Sequence, residues 1–283
     1  MENPSSSPTS HADFAEHLLA RRYGGPEHEI LYSGANEVLN HLLSHRSVRA
    51  FLPDAVPESA IHAAVAAAQS AASSQNLQLW SVIAIQDRKR IARFTELSSS
   101  QEFIRDTPLF LVWLADLSRL TEIGSQAKVN TEPLEHLEPL IVGIVDVALA
   151  AQNAAIAFEA LGFGSVYIGA TRYQPKKVTA ELGLPPHVLP IFGMCVGYPD
   201  PQRPFSVKPR LPIKEVLHRE HYDSSQRSSN IARYDAKMRE FQQQEGLRQV
   251  TWSENSLNRV LIFCDLVQKA AYRQELDELG FAK

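Results

Sequence analysis

The stretch that decides the fold of this chain is His45-Arg46-Ser47-Val48-Arg49-Ala50-Phe51, which lies between a predicted helix at residues 36–44 and a proline-bounded turn at residues 53–57. It places two guanidinium groups and one hydroxyl group within four residues. A planar fork of N–H donors fits the paired oxygens of a phosphate or a carboxylate. Taken alone, a motif this short is more typical of a solvated helix end.

Two further donor-rich segments favour a functional interpretation. One is the basic segment Lys208-Pro209-Arg210, and the other is the glycine-containing turn Tyr167-Ile168-Gly169-Ala170-Thr171-Arg172. Three such segments, far apart in one chain, predict a large phosphorylated ligand.

Composition limits the class of protein. The chain has 283 residues, 44% hydrophobic, and a net charge of −4, which is typical of a soluble protein with a sizeable core. The slight acidic excess argues against nucleic acid as a partner, because a phosphate backbone requires a broad basic face. Cys195 and Cys264 form no CxxC motif, so we expect reduced thiols and a cytoplasmic location. His218 and His221 lack a third ligand at a regular spacing, so we predict no metal site.

The first 36 residues are predicted to be an extension. Residues 1–10 are rich in serine and proline, without the apolar core or basic start of a secretory signal, and are expected to be disordered. Residues 11–22 predict a short amphipathic helix, which Gly24-Gly25-Pro26 ends. The sequence does not indicate the purpose of this extension.

The remaining chain alternates between predicted strands and helices. Apolar runs predict strands at residues 80–85, 108–114, 164–169 and 188–196. Further helices are predicted at residues 60–72, 87–97, 174–182, 228–244, 253–264 and 265–279. Residues 118–134 have no strong period and are expected to be a mobile region. The alternation predicts an α+β or α/β sheet covered by helices.

The longest apolar segment spans residues 137–161 and is long enough to cross a membrane. Asp146, Gln152, Asn153 and Glu159 interrupt it, and charges inside a bilayer are costly. We therefore expect no membrane partner but a helix buried on all sides, either in the core or between subunits.

The chain resembles the nitroreductase family of FMN enzymes, in the branch of oxygen-insensitive NADPH nitroreductases and NADPH–FMN oxidoreductases. The resemblance runs from about residue 37 to the C-terminus. Its motifs are His45-Arg46-Ser47-Val48-Arg49-Ala50-Phe51, Ala71-Ala72-Ser73-Ser74-Gln75-Asn76-Leu77-Gln78, Gln101, Asp146 to Asn153, Val166-Tyr167-Ile168-Gly169, His187-Val188-Leu189-Pro190-Ile191-Phe192-Gly193, Gly197-Tyr198-Pro199, Lys208-Pro209-Arg210-Leu211-Pro212 and Thr251-Trp252-Ser253.

The resemblance implies an α+β fold with a central, mostly antiparallel sheet flanked by helices. It implies an entwined homodimer with one non-covalently bound FMN at each of two subunit interfaces. Residues 37–283 would form the FMN-dependent domain, including a C-terminal helical excursion.

The resemblance also assigns site residues. Those expected to bind FMN are His45, Arg46, Ser47, Arg49, Ser73, Gln101, Tyr167, Ile168, Gly169, Ala170, Lys208 and Arg210. Those expected at the substrate mouth are Ser74, Gln75, Asn76 and Arg248. Arg46, Ser47, Lys208 and Arg210 would hold the phosphate, whereas Arg49 would face the pyrimidine edge of the flavin. A cation at that edge stabilises the negative charge that develops on reduction.

The implied chemistry belongs to the flavin. NAD(P)H passes a hydride to the flavin, leaves, and is replaced by a nitroaromatic compound or a quinone that accepts two electrons. This ping-pong cycle requires no catalytic side chain and no metal. Two alternatives stay open: a flavin reductase that supplies reduced FMN to a monooxygenase, and a flavin-binding carrier without efficient turnover.

The chain departs from the family pattern in three places. Gln75 and Asn76 make the substrate mouth more polar than in family members that carry an apolar residue there, and Ala170 replaces the second residue of a Gly-Gly pair. The arginine-rich loop of NADPH-specific members is reduced to Arg248, so use of NADH stays open.

Overall fold

The computed structural model describes residues 11–23, 36–268 and 271–281. Its α-helices are α1 (His11–Tyr23), α2 (Glu37–Leu43), α3 (Glu58–Gln69), α4 (Arg88–Leu97), α5 (Ser118–Ala127), α6 (Leu137–Ala160), α7 (Pro175–Leu182), α8 (Ile213–Val216), α9 (Arg227–Gln244), α10 (Trp252–Gln268) and α11 (Ala271–Glu278). Its strands are β1 (Trp80–Ile85), β2 (Leu109–Asp116), β3 (Gly164–Ile168) and β4 (Val188–Gly197). Short 3-10 helices occupy Ser74–Asn76, Glu102–Ile104, Glu132–Glu135 and Gly169–Tyr173.

The described residues form two compact units. The helical unit lies within Met1–Arg46 and Phe205–Cys264, and the sheet unit lies within Ser47–Pro204 and Asp265–Lys283.

The sheet unit is built on four strands in the order β1-β2-β4-β3. All three neighbouring pairs are antiparallel, so the predicted antiparallel sheet is confirmed. In the register of the sheet, Val112 of β2 lies opposite Ile83 of β1 and Gly193 of β4. With helices packed on the sheet, the fold is α+β, as the sequence predicted.

Both faces of β2 are covered, which explains its unbroken apolar sequence. Every residue of β2 is buried. Successive side chains of a strand point to opposite faces. Trp113 joins the core cluster with α3 and α6, whereas Phe110 packs against Phe94 of α4, with ring centroids 5.2 Å apart.

The helix α6 has one buried and one exposed side. Among the described residues it is the one helix long and apolar enough to cross a membrane. Small side chains such as Ala150 and Ala154 pack into the core, while Ile141, Val145 and Leu149 remain 43–49% exposed. Of the two predicted alternatives, burial of α6 on all sides in the core of one chain is therefore wrong, and burial between subunits stays a prediction.

Residues 118–134 contain regular structure that their weak period did not indicate, whereas the expected mobility of this region stays a prediction. They contain α5 and a 3-10 helix. Asp116 accepts hydrogen bonds from the Ser118 backbone N–H at 3.2 Å and the Ser118 hydroxyl group at 2.6 Å. This local bonding holds the start of α5, and such signals are invisible to hydrophobic periodicity.

The last described residues complete the sheet unit. The backbone N–H of His187 donates to Leu279 O at 3.1 Å, just before β4. Phe281 is 5% exposed and belongs to the same core cluster as Trp113. The core of this unit therefore includes residues from distant parts of the sequence.

The helical unit packs around α1, which confirms the helix predicted at residues 11–22. Ala15 and Leu18 bury the apolar side of α1. The Asn40 amide of α2 donates to His11 O at 3.1 Å. Later in the unit, Tyr234 of α9 packs edge-on against Trp252 of α10, with ring centroids 5.7 Å apart.

Candidate active site

The segment 47–51 is extended and lies along the edge of the sheet, beside β3. Val48 N–H donates to Ser165 O at 2.9 Å. A Cβ atom on Gly164 would lie 2.5 Å from the Val48 side chain, so the glycine permits this close approach. Val48 is buried whereas Ser47 and Arg49 are not. Because side chains alternate in an extended segment, Ser47 and Arg49 share the side opposite Val48.

Arg49 is a cation without a carboxylate partner among the residues that the structure describes. Its guanidinium group lies 6.0 Å from the centroid of the Phe103 ring, and partial desolvation lowers its pKa. In the described part of the chain, no carboxylate lies within ion-pair distance of it. The Cys195 thiol interacts with it electrostatically but stays protonated, because burial raises the pKa of that thiol. The site therefore suits a ligand that brings negative charge.

Gln101 belongs to the same neighbourhood as Arg49. It directly precedes the 3-10 helix that carries Phe103, and its amide donates to Ser98 O at 3.0 Å. The segment that follows Gln101 therefore lies next to the Arg49 guanidinium group, and the role of Gln101 at the flavin edge stays a prediction.

The mouth loop, residues 73–78, contains an unusual backbone. Gln75, Asn76 and Gln78 have φ values of 49°, 58° and 53°, in the left-handed region. Non-glycine residues seldom adopt this conformation, and asparagine tolerates it better than most. Ser74, Gln75 and Asn76 are all exposed, as expected for residues at a substrate mouth.

A buried carboxylate holds the mouth loop. Asp146 of α6 is 1% exposed and accepts hydrogen bonds from the Ser73 hydroxyl group at 2.6 Å, Leu79 N–H at 3.0 Å and Ser74 N–H at 3.2 Å. The Ser73 oxygen in turn accepts from Gln78 N–H at 2.7 Å. The Ser73 hydroxyl group therefore has a structural partner on each side. Sequence reasoning treated Asp146 as an interruption of an apolar helix, although a buried carboxylate requires such donors.

The turn after β3 places Ile168 and Ala170 in the interior. Its cationic residue is engaged by the protein itself, because the Arg172 guanidinium donates to Ile191 O at 2.7 Å. Tyr167 is partly buried, with its ring edge-on to Phe192 and ring centroids 5.1 Å apart. Burial, and secondarily the charge of Glu159, raise the pKa of Tyr167, so its phenol stays neutral. Gly169 lies between these buried residues, where a Cβ atom would come within 3.4 Å of the Arg172 side chain.

In the helical unit, the basic segment 208–210 is held by its backbone. Val207 and Pro209 are buried, whereas Lys208 and Arg210 are exposed. The Tyr234 hydroxyl group donates to Pro209 O at 3.0 Å. Burial raises the pKa of Tyr234, so that donor remains protonated. The alternation presents both cationic side chains on one side of the segment.

Arg22 of α1 links two predicted phosphate-binding segments within the helical unit. Its guanidinium group donates to Leu43 O at 2.9 and 3.1 Å, His45 O at 2.9 Å and Lys208 O at 3.4 Å. His45 itself is partly buried, and Arg46 is exposed. No sequence motif indicated a role for Arg22.

Arg248 is exposed beyond the end of α9. The adjacent turn is fixed by the Gln242 side chain, which donates to Val250 O at 2.8 Å and accepts from Val250 N–H at 2.9 Å. Within the described residues, no group of three or more potential metal-ligating side chains occurs.

Comparison with known proteins agrees with this architecture. The family model described as Nitroreductase family matches residues 42–198, and the model of the family's C-terminal domain matches residues 208–283. An oxygen-insensitive NADPH nitroreductase of Salmonella typhimurium is 38% identical over 223 residues, 78% of this chain and 89% of that protein. An FMN reductase (NADPH) of Bacillus subtilis is 34% identical over 230 residues, 79% of this chain and 91% of that protein.

Solved structures give the same result. The oxidoreductase YcnD from Bacillus subtilis matches with a TM-score of 0.80 and 33% identity, over 87% of this chain and 98% of that chain. The NADPH:FMN oxidoreductase from Vibrio harveyi matches with a TM-score of 0.75 and 29% identity, over 88% of this chain and 100% of that chain. By sequence, by domain composition and by fold, this chain belongs to the nitroreductase family.

Proposed function

We propose that this chain is an FMN-dependent NAD(P)H oxidoreductase that reduces nitroaromatic compounds or quinones. The observation that carries the proposal is the Arg49 guanidinium group, a partly desolvated cation without a carboxylate partner among the described residues. A desolvated charge is stabilised by an opposite charge in contact with it. The relatives, which include an FMN reductase and an NADPH nitroreductase, support FMN and NAD(P)H as the ligands.

The donors in the helical unit fit a phosphate dianion. Arg46, Lys208 and Arg210 all carry exposed cationic side chains, and Lys208 and Arg210 lie on one side of their segment. Charge-assisted bonds from such groups are among the strongest that a protein offers to phosphate. We assign these residues to the phosphate, with His45 and the Ser47 hydroxyl group next to them in sequence.

In the sheet unit, we assign Arg49, Gln101 and residues 167–170 to the flavin ring. Bound FMN supplies hydride transfer chemistry. Arg49 keeps a positive charge at the ring edge, Gln101 provides an amide there, and Gly169 and Ala170 offer small side chains beside the ring. Ser73 shapes the mouth loop, which leaves Ser74, Gln75 and Asn76 as the polar groups that meet the substrate. This assignment requires no protein nucleophile and no metal.

We further propose that the protein is a cytoplasmic homodimer. The support is the exposed apolar stripe of α6, formed by Leu137, Ile141, Val145 and Leu149 at intervals of four residues. Such a stripe would be covered by a second copy, because contiguous exposed apolar surface marks interfaces. Light scattering on the wild type and on Ile141→Asp tests this, with loss of the dimer expected in the variant.

A second candidate function is reduction of free flavin. The polar mouth residues Gln75 and Asn76 and the FMN reductases among the relatives favour it. Steady-state rates with free FMN and with a quinone, compared at equal NAD(P)H, separate the two functions.

Anaerobic stopped-flow absorbance tests the proposal as a whole. The purified yellow protein is mixed with NADH and then, separately, with NADPH. Rapid loss of the flavin band with either donor is expected. Arg248→Ala, measured in parallel, should lower the NADPH rate relative to the NADH rate if Arg248 binds the 2′-phosphate. A flavin that stays oxidised with both donors would contradict the enzyme and support a carrier.

The role of Arg49 has its own test. Arg49→Met should shift the potential of the bound flavin to more negative values, because the reduced cofactor loses a neighbouring positive charge. The expected shift is on the order of 30 mV, equivalent to about 1.4 kcal/mol for a two-electron couple. Arg248→Met, an exposed arginine in the other unit, is the control. An unchanged potential in Arg49→Met would remove Arg49 from the ring edge.

A further inference from the structure

The last turn of the N-terminal helix α1 contains a buried arginine, Arg22. Its guanidinium group donates hydrogen bonds to backbone carbonyl oxygens of two other segments. Arg22 is 7% exposed. Its donors reach Leu43 O, His45 O and Lys208 O at 2.9–3.4 Å. In the opposite direction, Arg210 N–H donates to Arg22 O at 2.8 Å. One residue thus contacts both segments through its side chain and its own carbonyl oxygen.

These two segments carry the cations assigned to the phosphate. Arg46 directly follows His45, and Lys208 and Arg210 flank Pro209. The bonds from Arg22 to these segments go to backbone carbonyl oxygens, those of His45 and Lys208. A planar fork of five donors is the group that can bond several carbonyl oxygens at fixed angles. A lysine offers no fixed fork and would hold this spacing less well.

The helix that presents Arg22 is itself fixed in place. Asn40 of α2 bonds to His11 at the beginning of α1, and Ala15 and Leu18 are 1% and 4% exposed. The helix lies before residue 42, where the match to the family model begins. It therefore lies outside the residues that the family model matches.

We propose that Arg22 is a positioning residue for phosphate recognition. It sets the spacing between the segment of His45 and Arg46 and the segment of Lys208 and Arg210, and through this spacing it controls how tightly the chain holds a phosphorylated flavin. The inference rests on the proposed function, since it takes FMN as the ligand. It also gives the N-terminal extension a purpose, which the sequence alone did not indicate.

The test compares two flavins that differ in the phosphate. Full-length protein freed of its flavin is titrated with FMN and with riboflavin, which lacks the phosphate, and binding is followed by flavin fluorescence. Arg22→Met keeps the volume of the side chain but removes every donor. It should raise the Kd for FMN about tenfold or more, as expected when charge-assisted phosphate bonds lose their geometry, and leave the Kd for riboflavin unchanged.

Arg21→Met is the matched control, because Arg21 is the preceding residue of the same helix and is exposed. It should leave both affinities unchanged. Arg22→Lys keeps the charge and should weaken FMN binding less than Arg22→Met does. This variant also provides the test if Arg22→Met fails to fold.

The outcomes separate the inference from the function on which it rests. Equal loss of FMN and riboflavin affinity in the Arg22 variants would show a general structural role and overturn the positioning role, as would unchanged FMN affinity. If the wild type binds riboflavin as tightly as FMN, the phosphate assignment itself is wrong, and the inference falls with it. A loss confined to FMN supports both.

Discussion

The mouth loop and the basic segment 208–210 are both irregular stretches that bond to a buried charged side chain, but the two charges have opposite sign. Asp146 accepts N–H and O–H bonds from the mouth loop, whereas Arg22 donates to carbonyl oxygens of the segments predicted to bind phosphate, one of which Tyr234 also holds. The mouth loop turns its N–H groups inward, and the other segments turn their carbonyl oxygens inward. The sign of the buried charge therefore follows from which backbone groups would otherwise be unsatisfied.

The two anchors also differ in origin. Asp146 lies on α6, inside the stretch that matches the family model. Arg22 lies on α1, before that match begins. Fixing the mouth loop is thus a property of the matched domain itself, whereas fixing the basic segment depends partly on a helix that lies before it.

The largest expected effect is that of removing the Asp146 carboxylate. Asp146→Ala leaves Leu79 N–H, Ser74 N–H and the Ser73 hydroxyl group without their acceptor in a buried place. The free energy of unfolding should fall by roughly 3 kcal/mol, as for a buried charged network that loses one member. Urea unfolding measures it. Ser74→Ala is the control, because Ser74 contributes only its backbone to this network and should change stability by less than about 0.5 kcal/mol.

A smaller effect is expected for Ser73. Ser73→Ala removes the bond to Asp146 and the bond from Gln78 N–H, so stability should fall by about 2 kcal/mol. Adding Asp146→Ala to this variant should cost less than it does in the wild type, since the two residues share one network. Strictly additive costs in urea unfolding would show that the two residues act independently.

The smallest effect tests the other region. Tyr234→Phe removes the single hydrogen bond to Pro209 O and should lower the free energy of unfolding by about 1 kcal/mol. Tyr222→Phe is the comparison: it removes a hydroxyl group that accepts from the Arg227 guanidinium group at an exposed position of the same unit, and it should cost less than about 0.5 kcal/mol. Asp146 bonds to several groups of the mouth loop at once, whereas the segment 208–210 is held by several separate bonds. If Tyr234→Phe lowered the free energy of unfolding as much as Asp146→Ala does, this difference between the two regions would be wrong.

The fold was predictable where the residues of one short stretch determine its structure. The apolar run of β2 indicated burial on both faces, and β1 was predicted with its observed bounds. The motif at residues 45–51 drew attention to Arg49 because it concentrates donors, and the role of Arg49 at the flavin stays a prediction. Its partner ring, Phe103, lies more than fifty residues away and had no signal in the sequence.

The missed features depend on partners far apart in sequence. Asp146 binds residues 67 to 73 positions earlier, and Arg22 reaches Lys208, 186 positions later. Periodicity cannot show such pairs. It also cannot show which side of α6 is exposed in one chain, since an exposed apolar side has the same sequence pattern as a buried one. The assignments to individual flavin contacts stay predictions until the experiments above are done.

The contact between His187 and Leu279 has a consequence for synthesis in the cell. The sheet unit comprises Ser47–Pro204 and Asp265–Lys283, with Phe205–Cys264 inserted between them. A ribosome that adds 5–20 residues per second would take roughly 3–12 s to make that insertion. During this interval β4 has already been synthesised, but Phe281, which fills a site in the core of the sheet unit, has not. Folding of the sheet unit during synthesis is therefore delayed until the insertion has been made. Until then the apolar core site of Phe281 is exposed to chaperones and proteases.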